Sequence, residues 1–269
     1  MQDIDLQTAV DRIRESSDVY PSTAIILGSG LGGLADAIEQ PITIPYQEIP
    51  GFKTSSAEGH RGQLILGHLE NTAVVAMAGR LHRYEGWTND DIAFPIRMMA
   101  ALGAERLIVS NAAGGVSPKL SVGDIVVIRD HINWMGGLSS RNQNQIAPCP
   151  LRQACLYDES MSKVALQVSV NENFGAWPGT YLATLGPTYE TRSEYRMMRR
   201  IGADVAGMST VPEVLAAASL QMRILGLSMV TNVANPDVAV VANHTDVLQA
   251  GEAAAAKMEL IVRRVLVAT

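Results

Sequence analysis

The sequence predicts an α/β fold, a single domain in which a mixed central β-sheet is flanked by helices. Three observations lead there. Short β-rich runs alternate with amphipathic or alanine-rich helical stretches along the chain. Two adjacent runs are joined by only Glu70-Asn71, short enough for a hairpin and so for antiparallel pairing. The run from Gly123 to Arg129 is near-continuous in Val and Ile, as for a strand covered on both faces. At 269 residues, one domain spanning 1–269 and burying a substantial core is expected.

Taken in order, Leu6, Val10 and Ile13 share one face of an N-terminal helix, and Thr23 to Leu27 is a strand that runs into glycines. Gln63 to Leu69 and Thr72 to Ala78 form the hairpin. Phe94 to Leu102 reads as helix, then Arg106 to Ser110 and Gly123 to Arg129 as strands. Residues 139–153 are the one long turn-rich stretch, a candidate lid or subunit-contact loop. Thr210-Val211-Pro212-Glu213 has capping-box spacing, which predicts a helix through Leu220 with Thr210 as its cap and Ser209 left free. A strand from Arg223 to Thr231 follows, and a long C-terminal helix opens at Thr245.

Composition narrows the function. Hydrophobic residues make up 47% and charged residues 18%, which suits a packed globular protein. The formal charge of -6 provides no global positive field, so nucleic acid and acidic lipid are excluded as partners and any anion site must be local. Met1 to Leu6 lacks the basic start and apolar stretch of a secretory signal, which predicts a cytoplasmic protein. The most apolar stretch near the C-terminus is interrupted by Arg263 and Arg264, which argues against a membrane span. Cys149 and Cys155 fit neither a zinc knuckle nor a redox pair, and the five histidines are scattered, so no metal is expected.

Several strand exits carry residues able to do chemistry. Gly28-Ser29-Gly30-Leu31-Gly32-Gly33 formally satisfies a dinucleotide-binding pattern, but Pro41 and Pro45 interrupt the segment that should be the next parallel strand. A nicotinamide-dependent oxidoreductase therefore explains only this one loop. What survives is a place where backbone N–H groups and the Ser29 hydroxyl can approach an anion, or else a plain tight turn. In Gly79 to Gly86, alternation would project Arg80, His82 and Tyr84 to one side as a guanidinium fork, an imidazole and a phenol, if extended geometry continues. His60 stands in a loop between glycines, where a solvated turn is the plainer role. Ser110 to Gly115, with Ala112 at its centre, offers further backbone donors after a strand. Tyr189 and Glu190 pair a stacking ring with an acceptor, and Asn232 can both donate and accept along a base edge, although singly each also suits a turn or helix terminus. Met208 can line an apolar sugar face and His244 can reach a hydroxyl, each against a commoner structural use.

Together these segments resemble the trimeric, low-molecular-mass purine nucleoside phosphorylases. GSGLG at 28–32, GHRG at 59–62, GRLHRYEG at 79–86, NAAGG at 111–115, DHIN at 130–133, GPTYET at 186–191, GADVAGMSTVPE at 202–213 and TN at 231–232 carry the likeness. The resemblance implies a three-layer nucleoside phosphorylase fold, a homotrimer, and phosphate-dependent cleavage of 6-oxopurine nucleosides to base and (deoxy)ribose 1-phosphate. It implies no organic cofactor and no metal. By it, phosphate contacts Ser29, His60, Arg80, His82, Ala112 and Ser209, ribose meets Tyr84, Met208 and His244, and purine faces Tyr189, Glu190 and Asn232. Asn232, Glu190 and His82 are the expected catalytic set. A methylthioadenosine phosphorylase is the nearest alternative, but NAAGG, GRLHRYEG and the Glu190 with Asn232 pair look more like the 6-oxopurine enzymes. The chain also departs from the family: residues 139–156 contain no aromatic to lend to a neighbour's ribose site, and Val233 stands where some relatives place a polar residue.

Overall fold

The computed structural model describes residues 2–28, 31–55, 61–136, 155–234 and 244–269, and for 2–5 and 244–253 the backbone alone. It contains strands β1 (Thr23–Leu27), β2 (Glu39–Pro45), β3 (Gln63–Leu69), β4 (Thr72–Ala78), β5 (Arg106–Gly115), β6 (Ile125–Asn133), β7 (Ala176–Ala183), β8 (Val205–Gly207) and β9 (Arg223–Val233). Helices α1 (Gln2–Arg14), α2 (Gly32–Asp36), α3 (Asn89–Ala101), α4 (Glu159–Asn171), α5 (Arg192–Arg200), α6 (Val211–Ser219) and α7 (His244–Ala268) connect them.

All nine strands join in one sheet of order β2-β3-β4-β1-β5-β8-β7-β6-β9, and a further β5–β9 pairing closes its second half into a ring. The sheet is mixed: β3 and β4 pair antiparallel as the short connection requires, whereas β1 lies parallel to both β4 and β5. Strand alternation divides the core into two layers. Ala24 and Ile26 face a cluster with Ile13 of α1, Met99 of α3 and Val214 of α6. Ile25 and Leu27 face the opposite cluster with Leu34 of α2, Met161 of α4 and Ile261 of α7. The result is the predicted single-domain three-layer arrangement.

The differences from expectation have local causes. Pro41 and Pro45 sit in β2, an antiparallel edge strand, where a missing N–H costs no ladder bond; no parallel dinucleotide-fold strand forms there. α3 begins five residues earlier than its apolar pattern shows, because Thr88 and Asp91 form a reciprocal cap ahead of it. β5 continues to Gly115 and β9 to Val233, so the small and polar residues expected in loops after these strands lie within them. The stretch 139–153 lies outside the described residues.

Candidate active site

The site is built around β5. Its pairing with β1 ends at Val109, and its pairing with β8 begins only at Gly114. Between them, on that edge, Asn111 to Ala113 face a gap where the sheet changes partner, and such switch points are where open α/β sheets hold ligands.

At the lower end of this gap a buried cation meets two hydroxyls. Arg80, only 2% exposed, donates from Nη1 to Ser209 Oγ at 2.8 Å and to Thr210 Oγ1 at 3.1 Å. Its Nε lies 3.4 Å from the buried carboxylate of Glu213. Asn111 Nδ2 also donates to Thr210 Oγ1, at 2.8 Å, while Asn111 Oδ1 is buried with no hydrogen-bond partner among the described residues. Thr210 therefore does not cap α6: its side chain makes no capping bond, and its backbone stands at φ 74, ψ -51. Val211 N–H bonds to Ser209 C=O at 2.8 Å, closing a γ-turn of the strained, positive-φ kind. A β-branched residue holds such a backbone only when its surroundings enforce it, and Arg80 and Asn111 do so here. Ser209, expected to be free, is tied to Arg80.

The Gly79 to Gly86 segment does not stay extended. Arg83–Glu85 form a 3-10 turn after His82, so Arg80 turns inward while the His82 and Tyr84 rings stack at 4.8 Å. Glu85 accepts from the His82 backbone N–H at 2.9 Å and meets His82 Nδ1 at 2.9 Å, which fixes the ring. Burial first, and then the Glu85 charge, hold the Tyr84 phenol above its ordinary pKa, so it remains protonated.

At the upper end, a register shift after Ala113 leaves Thr231 as an extra residue in β9 and sets Asn232 opposite Gly114. A bulge of this kind re-aims the side chain that follows it. Thr231 Oγ1 lies 3.2 Å from Asn232 Oδ1, occupying the acceptor side of the amide. A Cβ on Gly114 would stand 3.4 Å from Asn232 Nδ2 and 3.5 Å from Tyr195 Oη. Tyr195 in turn donates to Glu190 Oε2 at 2.9 Å, and Thr184 Oγ1 donates to Glu190 Oε1 at 3.0 Å. Glu190 stands just before the N-cap of α5, whose capping box is made by Thr191 and Glu194. Asn111 and Gly114 are three residues apart on one extended strand, about 10 Å.

Other predicted residues fall as follows. Ala112 lies half-buried in the gap. Met208 packs under the GPTYET turn, its side chain against Gly186, whose φ of 67 lies in the left-handed region that favours glycine. Tyr189 is 50% exposed and, with Glu190, Thr184, Trp134 and Met197, lines a cleft of about 440 Å³; Asn232 and Arg80 are not in its walls. Gly28 does not offer its N–H to a ligand: that group donates to Ser110 Oγ at 3.0 Å, and a Cβ would strike the Ser110 carbonyl. Ser29 and His60 lie outside the described residues, and His244 opens α7 with its side chain undescribed. Asn111, Thr184, Tyr195, Thr210 and Glu213 were not singled out as site residues from the sequence. Asn111 had a local signal, since it opens the NAAGG motif.

The model of the phosphorylase superfamily matches residues 22–267. Purine nucleoside phosphorylase 1 of Bacillus subtilis is 42% identical over 92% of this chain and 92% of its own length. The chain belongs to the purine nucleoside phosphorylase family. The Rattus norvegicus purine nucleoside phosphorylase is 40% identical over 96% of this chain and 92% of its own length. A schistosoma purine nucleoside phosphorylase solved with hypoxanthine superimposes with a TM-score of 0.89 at 38% identity, covering 97% of this chain and 95% of that one. Further Schistosoma phosphorylase structures hold guanosine, adenosine, or cytosine with ribose-1-phosphate. The chain is accordingly an enzyme of the pentosyltransferase class. Among its described residues no helix is long and apolar enough to cross a membrane.

Proposed function

We propose that this phosphorylase acts on 6-oxopurine nucleosides, inosine and guanosine and their deoxy forms, with phosphate beneath the sugar and the base held above it. The observation that supports this reading is that β5 carries both groups: Asn111, bonded to the Arg80–Ser209–Thr210 cluster, and three residues on Gly114, beside Asn232 and Tyr195. In this reading Arg80, Ser209, Ala112 and His82, with Ser29 and His60, bind the phosphate dianion. Tyr84, Met208 and His244 bound the ribose, and Tyr189 stacks on the purine.

A phosphate oxygen attacks C1′ as the C1′–N9 bond breaks, and that bond's electron pair leaves with the purine. Negative charge then grows on the base, where Asn232 Nδ2 donates to N7; a preorganised donor is worth most where charge newly appears. Thr231 keeps the amide in that sense by occupying its oxygen. Glu190 accepts the N1–H that hypoxanthine and guanine carry and adenine lacks. No cofactor or metal is required, and the enzyme is proposed to work in the cytoplasm.

The test is an assay of inosine cleavage with and without phosphate that identifies the sugar product, repeated with adenosine and methylthioadenosine and in the presence of EDTA. Phosphate-dependent release of ribose 1-phosphate from inosine, insensitive to EDTA, is expected. Efficient turnover of adenosine or methylthioadenosine would overturn the base preference, and cleavage without phosphate would overturn the reaction.

A further inference from the structure

We infer that Tyr195 is a positioning residue for base selection: its phenol aims the Glu190 carboxylate at the incoming purine. The inference rests on the reading of Glu190 as a base ligand and deepens it. Thr191 is the N-cap of α5, so Glu190 stands one residue before the cap and Tyr195 at the fourth helical position. Side chains in a helix lean toward its N-terminus, and these two positions are the pair that meets across a helix start, usually as apolar residues. Here the pair is polar, with Tyr195 Oη donating to Glu190 Oε2 at 2.9 Å.

The other carboxylate oxygen is held by Thr184 at 3.0 Å, and no cation among the described residues pairs with Glu190. Two neutral hydroxyls therefore fix the group from both ends. Each oxygen keeps a further lone pair for a base N–H. Burial and then the Glu190 charge raise the pKa of the Tyr195 phenol, so it remains a donor throughout the working range of pH. The same phenol oxygen lies 3.5 Å from the point beside Gly114 that is 3.4 Å from Asn232 Nδ2, so Tyr195 stands close to Asn232 as well as to Glu190.

A carboxylate fixed this way meets N1–H of a 6-oxopurine as a ready acceptor. Adenine turns its N1 lone pair to the same place and is repelled. Without the phenol, Glu190 gains rotational freedom, so binding must order it, and it can swing to accept from the adenine amino group. Losing a hydrogen bond to a charged group predicts an increase of about tenfold in inosine KM with kcat little changed, and an inosine-over-adenosine kcat/KM ratio narrowed by a similar factor.

The experiment measures kcat and KM for both nucleosides in the wild type, Tyr195→Phe, Glu190→Gln and the double variant, with melting temperatures alongside. Phenylalanine keeps the ring that packs beside Val116, Leu182 and Met198, so the fold should be retained. If Tyr195 acts through Glu190, its effect largely disappears in the Glu190→Gln background. An unchanged inosine KM and ratio in Tyr195→Phe overturns the proposal, as does a full, additive effect in the double variant. Loss of melting temperature with kcat falling equally for both nucleosides assigns Tyr195 a merely structural role and also overturns it. Should Glu190→Gln itself leave inosine KM unaltered, the assignment of Glu190 to the base fails instead, and the Tyr195 proposal falls with it for that separate reason.

Discussion

Thr210 shows how a residue can satisfy a local pattern and be used for something else. Thr210-Val211-Pro212-Glu213 fits a capping box, but Arg80, distant in sequence, takes both hydroxyls at 209 and 210 and lies against the carboxylate meant to complete the cap. The strained turn at Thr210 is held because the buried guanidinium must be satisfied. Arg80→Met should therefore destabilise the fold by about 3–5 kcal/mol, since it strips a buried carboxylate of its cation. Adding Glu213→Leu should recover much of that loss in urea denaturation, while the KM for phosphate stays raised; recovery of both would assign Arg80 to stability alone. For Asn232→Ala, a fall of about 10²–10³ in kcat is expected from the lost donor, read in steady-state inosine phosphorolysis. A near-normal rate removes Asn232 from the mechanism. Of the residues gathered here, Arg80, Glu190 and Asn232 were singled out in the sequence only through the motifs that carry the family resemblance, since singly each also suits a structural role. Thr184 and Tyr195 were not, because a hydroxyl acquires meaning only from what it faces.

Elements with strong periodicity were read well. The β3–β4 hairpin and β1 match their predicted bounds, because alternation and a two-residue connection leave little choice of register. Helix starts were read less well: the polar first turn of α3 hides its beginning, and only the reciprocal Thr88–Asp91 cap defines it. α4 offers a test of how such termini are held. Asp158 caps it by accepting from Met161 N–H at 2.9 Å and also pairs with Arg223 of β9 at 2.7 Å. The Arg223 hydrogen bond, helped by Ser160 and Met161 and opposed by partial burial, depresses the Asp158 pKa below its ordinary 3.8. A depressed acid contributes stability that is present above 3.8 and is lost as pH falls through its folded value. Asp158→Ala should thus cost about 1 kcal/mol at pH 7, and the gap to wild type should narrow below about pH 4. Urea midpoints at pH 7 and pH 3 check this; a gap that widens on acidification contradicts it.

Over the whole molecule, the closure of β5, β8, β7, β6 and β9 into a ring decides where the site lies, since it opens the gap opposite Asn111 to Ala113. The proposed homotrimer also belongs to this scale. Trp134, Leu185 and Met197 are each more than 40% exposed and border one cleft, a concentration of apolar surface suited to contact with another chain. Sedimentation equilibrium should give three chain masses, and Met197→Lys should weaken the assembly; a monomeric wild type removes the proposal. By itself the sequence determined the fold class, most of the strands and the types of group that gather at their ends, because hydrophobic period and glycine placement act over a few residues. Only the tertiary structure decided that Thr210 is a strained ligand of Arg80, that a bulge at Thr231 turns Asn232 toward Gly114, and that Tyr195 grips Glu190. Each of these depends on where distant strands stop pairing, and a local pattern carries no energy term for that.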